Sequence, residues 1–289
     1  MFKKVAIVGG THGNEYTGVY LVKHLEKHPE KLNKFSYEIQ TYIGNPEAYK
    51  ANKRFLEEDL NRSFVDKNLK DQPESLEGKR AREMQEILRD KEAVDFLIDL
   101  HTTTSNMGKT VVLSKTDVLT HACCQYLSEK MPDIKIIDDE RVNEESYFVN
   151  KIAPAGILIE VGPTPQGVLR ADAYNGTSEI LDHILDFLEL VKIGKLELKE
   201  SICEYDFERY KELETIEYPV DENGELAGII HSELQDKDFE LIKSGDPLFQ
   251  LFSGEVIRYD GEPFYPIFVN EGAYYPKKLA FTKTIIKKD

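Results

Sequence analysis

The feature that most constrains this chain is the alternation of short apolar runs with amphipathic segments through its first two thirds. Val5-Ala6-Ile7-Val8 is a continuous apolar run, as in a parallel strand covered on both faces. Residues 16–26 place Val19, Leu21, Val22 and Leu25 at helical spacing. Residues 37–43 read as a strand ending at Gly44-Asn45-Pro46, and 77–90 as a charged helix. Strands follow at 94–100, 111–113 and 155–161, and helices at 121–130 and 178–191. Strands alternating with helices predict an α/β fold, a mostly parallel central sheet flanked by helices.

The texture changes near Lys195. From there the segments are short, with turns at Asn223-Gly224, Ser244-Gly245, Ser253-Gly254 and Asp260-Gly261. Asn-Gly and Asp-Gly between apolar runs are strong hairpin signals. The expected division is a catalytic α/β domain over 1–199 and a smaller β-rich domain over 200–289. The acidic stretch 138–145 reads as a solvated loop.

With 289 residues, 40% hydrophobic and 31% charged, the chain can bury a core. Fifty-three acidic against 37 basic residues give a net charge of -16, which argues against nucleic-acid and anionic membrane partners. An anionic substrate must then be gathered by locally placed arginines. No signal-peptide core or bilayer-length apolar run is present, and Cys123, Cys124 and Cys203 lack disulfide or zinc-clip spacing. The expected location is cytoplasmic, and a homo-oligomer is left open.

Ligands in open α/β sheets sit at the carboxyl ends of strands. The first strand runs through Gly9-Gly10 into His12 and Glu15; the strand at 94–100 delivers Asp99-Leu100-His101; the strand at 155–161 carries Glu160. Two imidazoles and a carboxylate can hold a catalytic zinc and leave a position for water. Glu160 would then be the base that takes a proton from water and passes it to a leaving amine. Each piece also has a plain reading: His12 as a turn residue, Glu15 as a carboxylate favouring a helix start, His101 as a satisfied core histidine. Glu160 is harder to dismiss, since a buried carboxylate without a partner costs several kcal/mol. In the polar stretch 52–64, Arg54, Asn61 and Arg62 can clamp a carboxylate or steady an oxyanion. Glu57, Glu58 and Asp59 stand ready to neutralise them.

These pieces, in this order, resemble the aspartoacylase and succinylglutamate desuccinylase family, zinc-dependent amidohydrolases related to the zinc carboxypeptidases. The resemblance rests on Gly9-Gly10-Thr11-His12-Gly13-Asn14-Glu15, Asp59-Leu60-Asn61-Arg62, Asp99-Leu100-His101-Thr102-Thr103-Thr104, Ile159-Glu160-Val161-Gly162-Pro163 and Val269-Asn270-Glu271-Gly272-Ala273-Tyr274-Tyr275. It implies a carboxypeptidase-like fold and one zinc per chain held by His12, Glu15 and His101, with Glu160 as general base and acid and Arg54 at the scissile carbonyl. Asn61 and Arg62 would grip the substrate carboxylate, with Asp59 orienting the clamp. Tyr274 would close the pocket, supported by Glu271. The implied substrate is a small anionic N-acyl amino acid, N-acetyl-L-aspartate first, with desuccinylase or aminoacylase chemistry and a non-catalytic metabolite-binding protein as alternatives. One departure bears on specificity: the arginine expected about ten residues before Glu160 is absent from Ser146-Tyr147-Phe148-Val149-Asn150-Lys151, leaving Arg141 or Lys151 to substitute.

Overall fold

The computed structural model describes residues 2–65, 73–139 and 148–287. The predicted alternation appears as β1 (Lys4–Gly9), α1 (Tyr16–Lys27), β2 (Glu38–Ile43), α2 (Pro46–Lys50), α3 (Leu76–Gln85) and β3 (Phe96–Thr102). Then come β4 (Gly108–Leu113), α4 (Val118–Lys130), β5 (Lys135–Asp138), β6 (Ala155–Gly162) and α5 (Ala171–Lys192). Six strands follow: β7 (Arg209–Glu217), β8 (Gly228–Ile230), β9 (Pro247–Leu251), β10 (Val256–Arg258), β11 (Tyr265–Ile267) and β12 (Leu279–Lys287).

A nine-stranded sheet runs in the order β11-β12-β7-β5-β4-β6-β3-β1-β2. Strands β2, β1, β3 and β6 are mutually parallel, whereas β4 is antiparallel to β6 and parallel to β5. The sheet is covered on both faces, as the continuous apolar runs require. Val5 and Ile7 join the core beneath α1, α4 and α5. Ala6 and Val8, pointing the other way, join Leu60, Phe64, Met84 and Leu88 on the side of α3. Cys123 and Cys124 are free and buried in the first of these cores. No helix among the described residues is long and apolar enough to cross a membrane.

Two glycines let β1 end as it does. A Cβ on Gly9 would lie 2.2 Å from the carbonyl oxygen of Gly18 in α1, so only glycine allows that helix to close on the strand. Gly10, at φ +70°, turns the chain out towards His12.

Four readings differ from the sequence expectation. The helix expected over 77–90 is α-helical only to Gln85, then widens into a π-helical turn over Glu86–Lys91. The acidic stretch does not begin as a solvated loop: Asp138 closes β5 and pairs with Arg209 at 3.0 Å, and Asp139 is buried. Residues 140–145 lie outside the described set. The two apolar residues Ile136-Ile137 between charged neighbours are too short a run to announce a strand; pairing with β4 and β7 makes it one. Lastly, β7, β12 and β11 continue the main sheet, while β8–β10 form a separate three-stranded antiparallel sheet.

This last sheet packs over β12 through a phenylalanine stack. Phe264 and Phe281 lie 5.8 Å apart and within 3° of parallel, and Phe249 stacks on Phe281 at 6.1 Å. Phe281 is fully buried. Phe281→Ala should therefore destabilise the protein by about 3–5 kcal/mol in urea unfolding. A loss under about 1 kcal/mol would mean that this core collapses around the cavity and does not depend on the stack.

Candidate active site

The ends of β1, β3 and β6 converge on one pocket. Strand β3 pairs with β6 in a register that sets His101 beside Glu160. The turn after β1 brings in His12, and Glu15 stands at the N-cap position of α1. Glu15 makes no capping bond there. Its carboxylate turns inward, with Oε1 2.6 Å from His12 Nδ1 and Oε2 3.0 Å from His101 Nδ1, and also accepts from the Thr102 N–H at 3.1 Å. The helix-start and turn-residue readings of these side chains are therefore set aside by geometry.

The outward nitrogens of both imidazoles are held by carboxylates. His12 Nε2 lies 2.9 Å from Asp59, and His101 Nε2 lies 2.6 Å from Asp99. Asp99 is itself fixed by the Thr11 hydroxyl at 2.7 Å. Such partners keep the proton on Nε2 and turn both Nδ1 lone pairs inward, where they face each other at 3.1 Å. Two lone pairs at that separation repel unless a positive charge lies between them. One ligand atom from each of His12, Glu15 and His101 falls within 4.8 Å of the others. The charges agree: Glu15, Asp59 and Asp99 face the imidazoles, and Arg54 offsets only one of these carboxylates. A divalent cation with neutral imidazoles balances the rest, so the donor set fits a metal. Without one, a proton takes its place. Burial alone would lower the pKa of His101, but Asp99 and Glu15 hold it well above the usual imidazole value. Burial would likewise raise Glu15 and Asp59, yet the facing imidazoles keep both well below the carboxylate range.

The loop after α2 supplies the other polar groups. Arg54 donates to Glu15 at 3.1 Å and to Asp59 through Nε at 3.3 Å and Nη2 at 3.2 Å. Asp59 caps the helical turn Leu60–Arg62 that carries Asn61 and Arg62. Asn61 is buried, with its amide nitrogen 3.5 Å from His101 Nε2 and its Oδ1 accepting from the Val149 N–H at 3.2 Å. Arg62 donates to the Asn61 carbonyl at 2.9 Å, and its guanidinium stands 5.1 Å over the Phe148 ring. Asp59 thus orients this group as well as neutralising part of it.

Tyr274 enters from the C-terminal segment, in a 3-10 helix over Gly272–Lys277, and lines the same pocket. Burial pushes its phenol well above the usual range. Glu271, just before it, is a clasp: its Oε2 accepts from the Thr103 hydroxyl, from the Thr104 N–H at 2.8 Å and hydroxyl at 3.0 Å, and from the Ser105 N–H at 3.4 Å. Thr103, Thr104 and Ser105 directly follow β3, so the clasp ties Tyr274 to the strand that bears His101. Glu160 is half-buried on the pocket wall, and burial pushes its carboxyl up to about 8, with His101 opposing and Glu15 and Glu271 adding to the rise. It stands poised to carry a proton near neutral pH.

All eight residues singled out from the sequence (His12, Glu15, Arg54, Asn61, Arg62, His101, Glu160 and Tyr274) therefore meet around one site; Glu15, at its base, belongs to the triad. Sequence reading gave Asp99 no role, although strand alternation holds the signal: residues two apart share a face, so Asp99 and His101 point the same way. It also missed Phe148, Phe268, Val112, Leu158, Asp139 and Glu212, which line the rest of the pocket. Arg141 and the side chain of Lys151, the candidates to replace the absent arginine, lie outside the described residues.

Fold and site together define the class, a hydrolase whose His12, Glu15 and His101 could hold a metal ion at the carboxyl ends of a parallel sheet. The chain belongs to the succinylglutamate desuccinylase/aspartoacylase family. Residues 1–188 match the family's catalytic domain and residues 205–285 its AstE/AspA barrel-sandwich hybrid domain. The chain is 38% identical to the N-acyl-aromatic-L-amino acid amidohydrolase (carboxylate-forming) of Homo sapiens, over 98% of its own length and 90% of the relative's. It is 41% identical to a probable aspartoacylase of a Nostoc species, over 97% and 95% of the two chains. The crystal structure of murine aminoacylase 3 superimposes with a TM-score of 0.93 at 37% identity, covering 100% of this chain and 96% of that one.

Zinc titration followed by elemental analysis checks the triad. His101→Ala should lose stoichiometric metal, and retention of full metal would remove His101 from the ligand set. Asp99→Ala should keep the ligands but weaken affinity by about 10–100-fold.

Proposed function

We propose that this chain is a zinc-dependent amidohydrolase that deacylates an N-acyl amino acid, with N-acetyl-L-aspartate as the leading substrate and acetate and L-aspartate as products. The observation that carries the reading is the pairing of Glu160, a carboxyl of raised pKa, with a two-histidine, one-carboxylate donor set in a pocket holding two arginines. When bound, zinc supplies a Lewis acid that acidifies water and polarises the acyl carbonyl. Glu160 accepts the proton of the attacking water and delivers it to the amine nitrogen as the carbon–nitrogen bond breaks. Arg54 offers its guanidinium to the negative charge that develops on the acyl oxygen. Arg62 and Asn61 hold the α-carboxylate, and Tyr274 closes over it. The relatives named aspartoacylase support N-acetyl-L-aspartate, as do the two arginines in a chain of net charge -16. Free, buried Cys123 and Cys124 accord with a reducing, cytoplasmic setting, and the acidic balance with a small-molecule substrate in preference to a nucleic-acid or membrane partner.

A second reading has its own support. Val112, Phe148, Leu158 and Phe268 form an apolar part of the wall alongside Asp139 and Glu212, and the cationic lysine and arginine side chains among the described lining residues are Arg54 and Arg62 alone. Such a wall suits an N-acyl amino acid with an apolar side chain, in line with the human relative's name. Kinetics of the zinc-loaded enzyme on N-acetyl-L-aspartate, N-acetyl-L-glutamate, N-acetyl-L-phenylalanine and N-succinyl-L-glutamate decide between them through kcat/KM. No turnover of any of these would sink the deacylase reading. Glu160→Ala should keep one zinc per chain and lose about 10²–10⁴-fold in kcat; near-normal turnover would exclude Glu160 from proton transfer.

A further inference from the structure

The loop between α2 and Leu60–Arg62 carries Arg54 and Asp59 but has no regular structure to hold them. Its support comes from α3, through a residue outside the pocket. Glu77, in the first turn of that helix, is 1% exposed. Its Oε1 accepts from the Leu56 N–H at 2.7 Å and from Asn45 Nδ2 at 3.1 Å. Its Oε2 accepts from the N–H groups of Glu57 at 3.1 Å and Glu58 at 3.2 Å. The loop reciprocates: Glu57 Oε2 accepts from the Leu76 N–H at 2.7 Å, and Glu58 accepts from the Ser75 hydroxyl. At the loop's other edge, the Gly13 N–H donates to the Arg54 carbonyl at 3.0 Å.

We infer that Glu77 is a positioning residue of the active site: by gathering three consecutive N–H groups, those of Leu56, Glu57 and Glu58, it sets where Arg54 and Asp59 stand against Glu15 and His12. The gathered donors lie within the six-residue span whose two ends are Arg54 and Asp59. Asp59 grips His12 Nε2 and Arg54 at once, so a shift of the loop moves a metal ligand's partner and the guanidinium together. A carboxylate suits the task because it only accepts, and four donors converge on it. Hydrogen bonding holds it below the usual carboxylate pKa despite burial. Glutamine would turn an NH2 group against at least one of these N–H groups and open the clasp without changing volume.

The kinetic arm of the test rests on the deacylase reading; the metal arm does not. Glu77→Gln should keep its fold by circular dichroism, lose about 10–100-fold in kcat with KM little changed, and bind zinc about tenfold or more weakly in chelator competition. Glu77→Asp, which keeps the charge but withdraws it by one methylene, should lose less in both readouts and guards against a glutamine variant that does not fold. Asp117→Ala removes the N-cap of α4, on the opposite face of the sheet, and serves as the stability control. It should lower Tm without weakening zinc binding or kcat. Folded Glu77 variants with wild-type kcat and zinc affinity would overturn the inference, as would equal losses in Asp117→Ala. If the wild type hydrolyses no N-acyl amino acid, the deacylase reading fails and zinc affinity alone decides the role of Glu77.

Discussion

Two imidazole nitrogens, His12 Nδ1 and His101 Nδ1, face each other at 3.1 Å across the carboxylate of Glu15, and much of the structure exists to hold them there. Each ring is pinned from behind by a carboxylate, and each carboxylate is pinned in turn: Asp99 by Thr11, Asp59 by Arg54 and the Asn61 N–H. The arrangement is costly without a cation, because burial strips water from charges that do not cancel among themselves. A metal ion removes that cost. Binding should therefore stabilise the folded protein as well as equip it for chemistry.

The sheet solves the geometric half of this problem. His101 and Glu160 sit on adjacent strands whose register is locked by burial, since a one-residue slip would turn Asp99 and His101 towards the helices. The C-terminal segment solves another part. It reaches the site twice, by β7 joining the main sheet beside β5 and by the Glu271 clasp on Thr103-Thr104-Ser105. Tyr274 is thereby fixed relative to His101 although 173 positions separate them in sequence, the difference of their residue numbers.

How much of this the sequence disclosed follows from the range of the forces involved. The triad and Glu160 were legible because strand ends are marked locally, by apolar runs and by Gly9-Gly10, and because ligands gather at such ends. Asp99 was legible in principle through strand alternation. Strand β5 was not, because two isoleucines become a strand only when distant partners are present. Nor was the role of Glu77, which reads as one carboxylate in a charged helix until the fold brings Leu56, Glu57 and Glu58 against it. Local chemistry can be read from the chain; contacts between residues 20 apart in a loop and a helix cannot.

The pocket is therefore assembled from two unequal halves. The half that handles the amide bond is built from the ends of β1, β3 and β6 and from a loop clamped on both sides, where displacing one group disturbs several others. In the proposed deacylase, the half left for the amino-acid side chain is lined by Val112, Leu158, Phe148, Phe268, Asp139 and Glu212, contributed by β4, β6 and β7, the segment between β5 and β6, and the end of β11. Substitutions in this wall would change which amino acid fits without replacing an imidazole or Glu160. That division gives a physical reason why relatives about 40% identical to this chain bear names that differ in the amino acid they release.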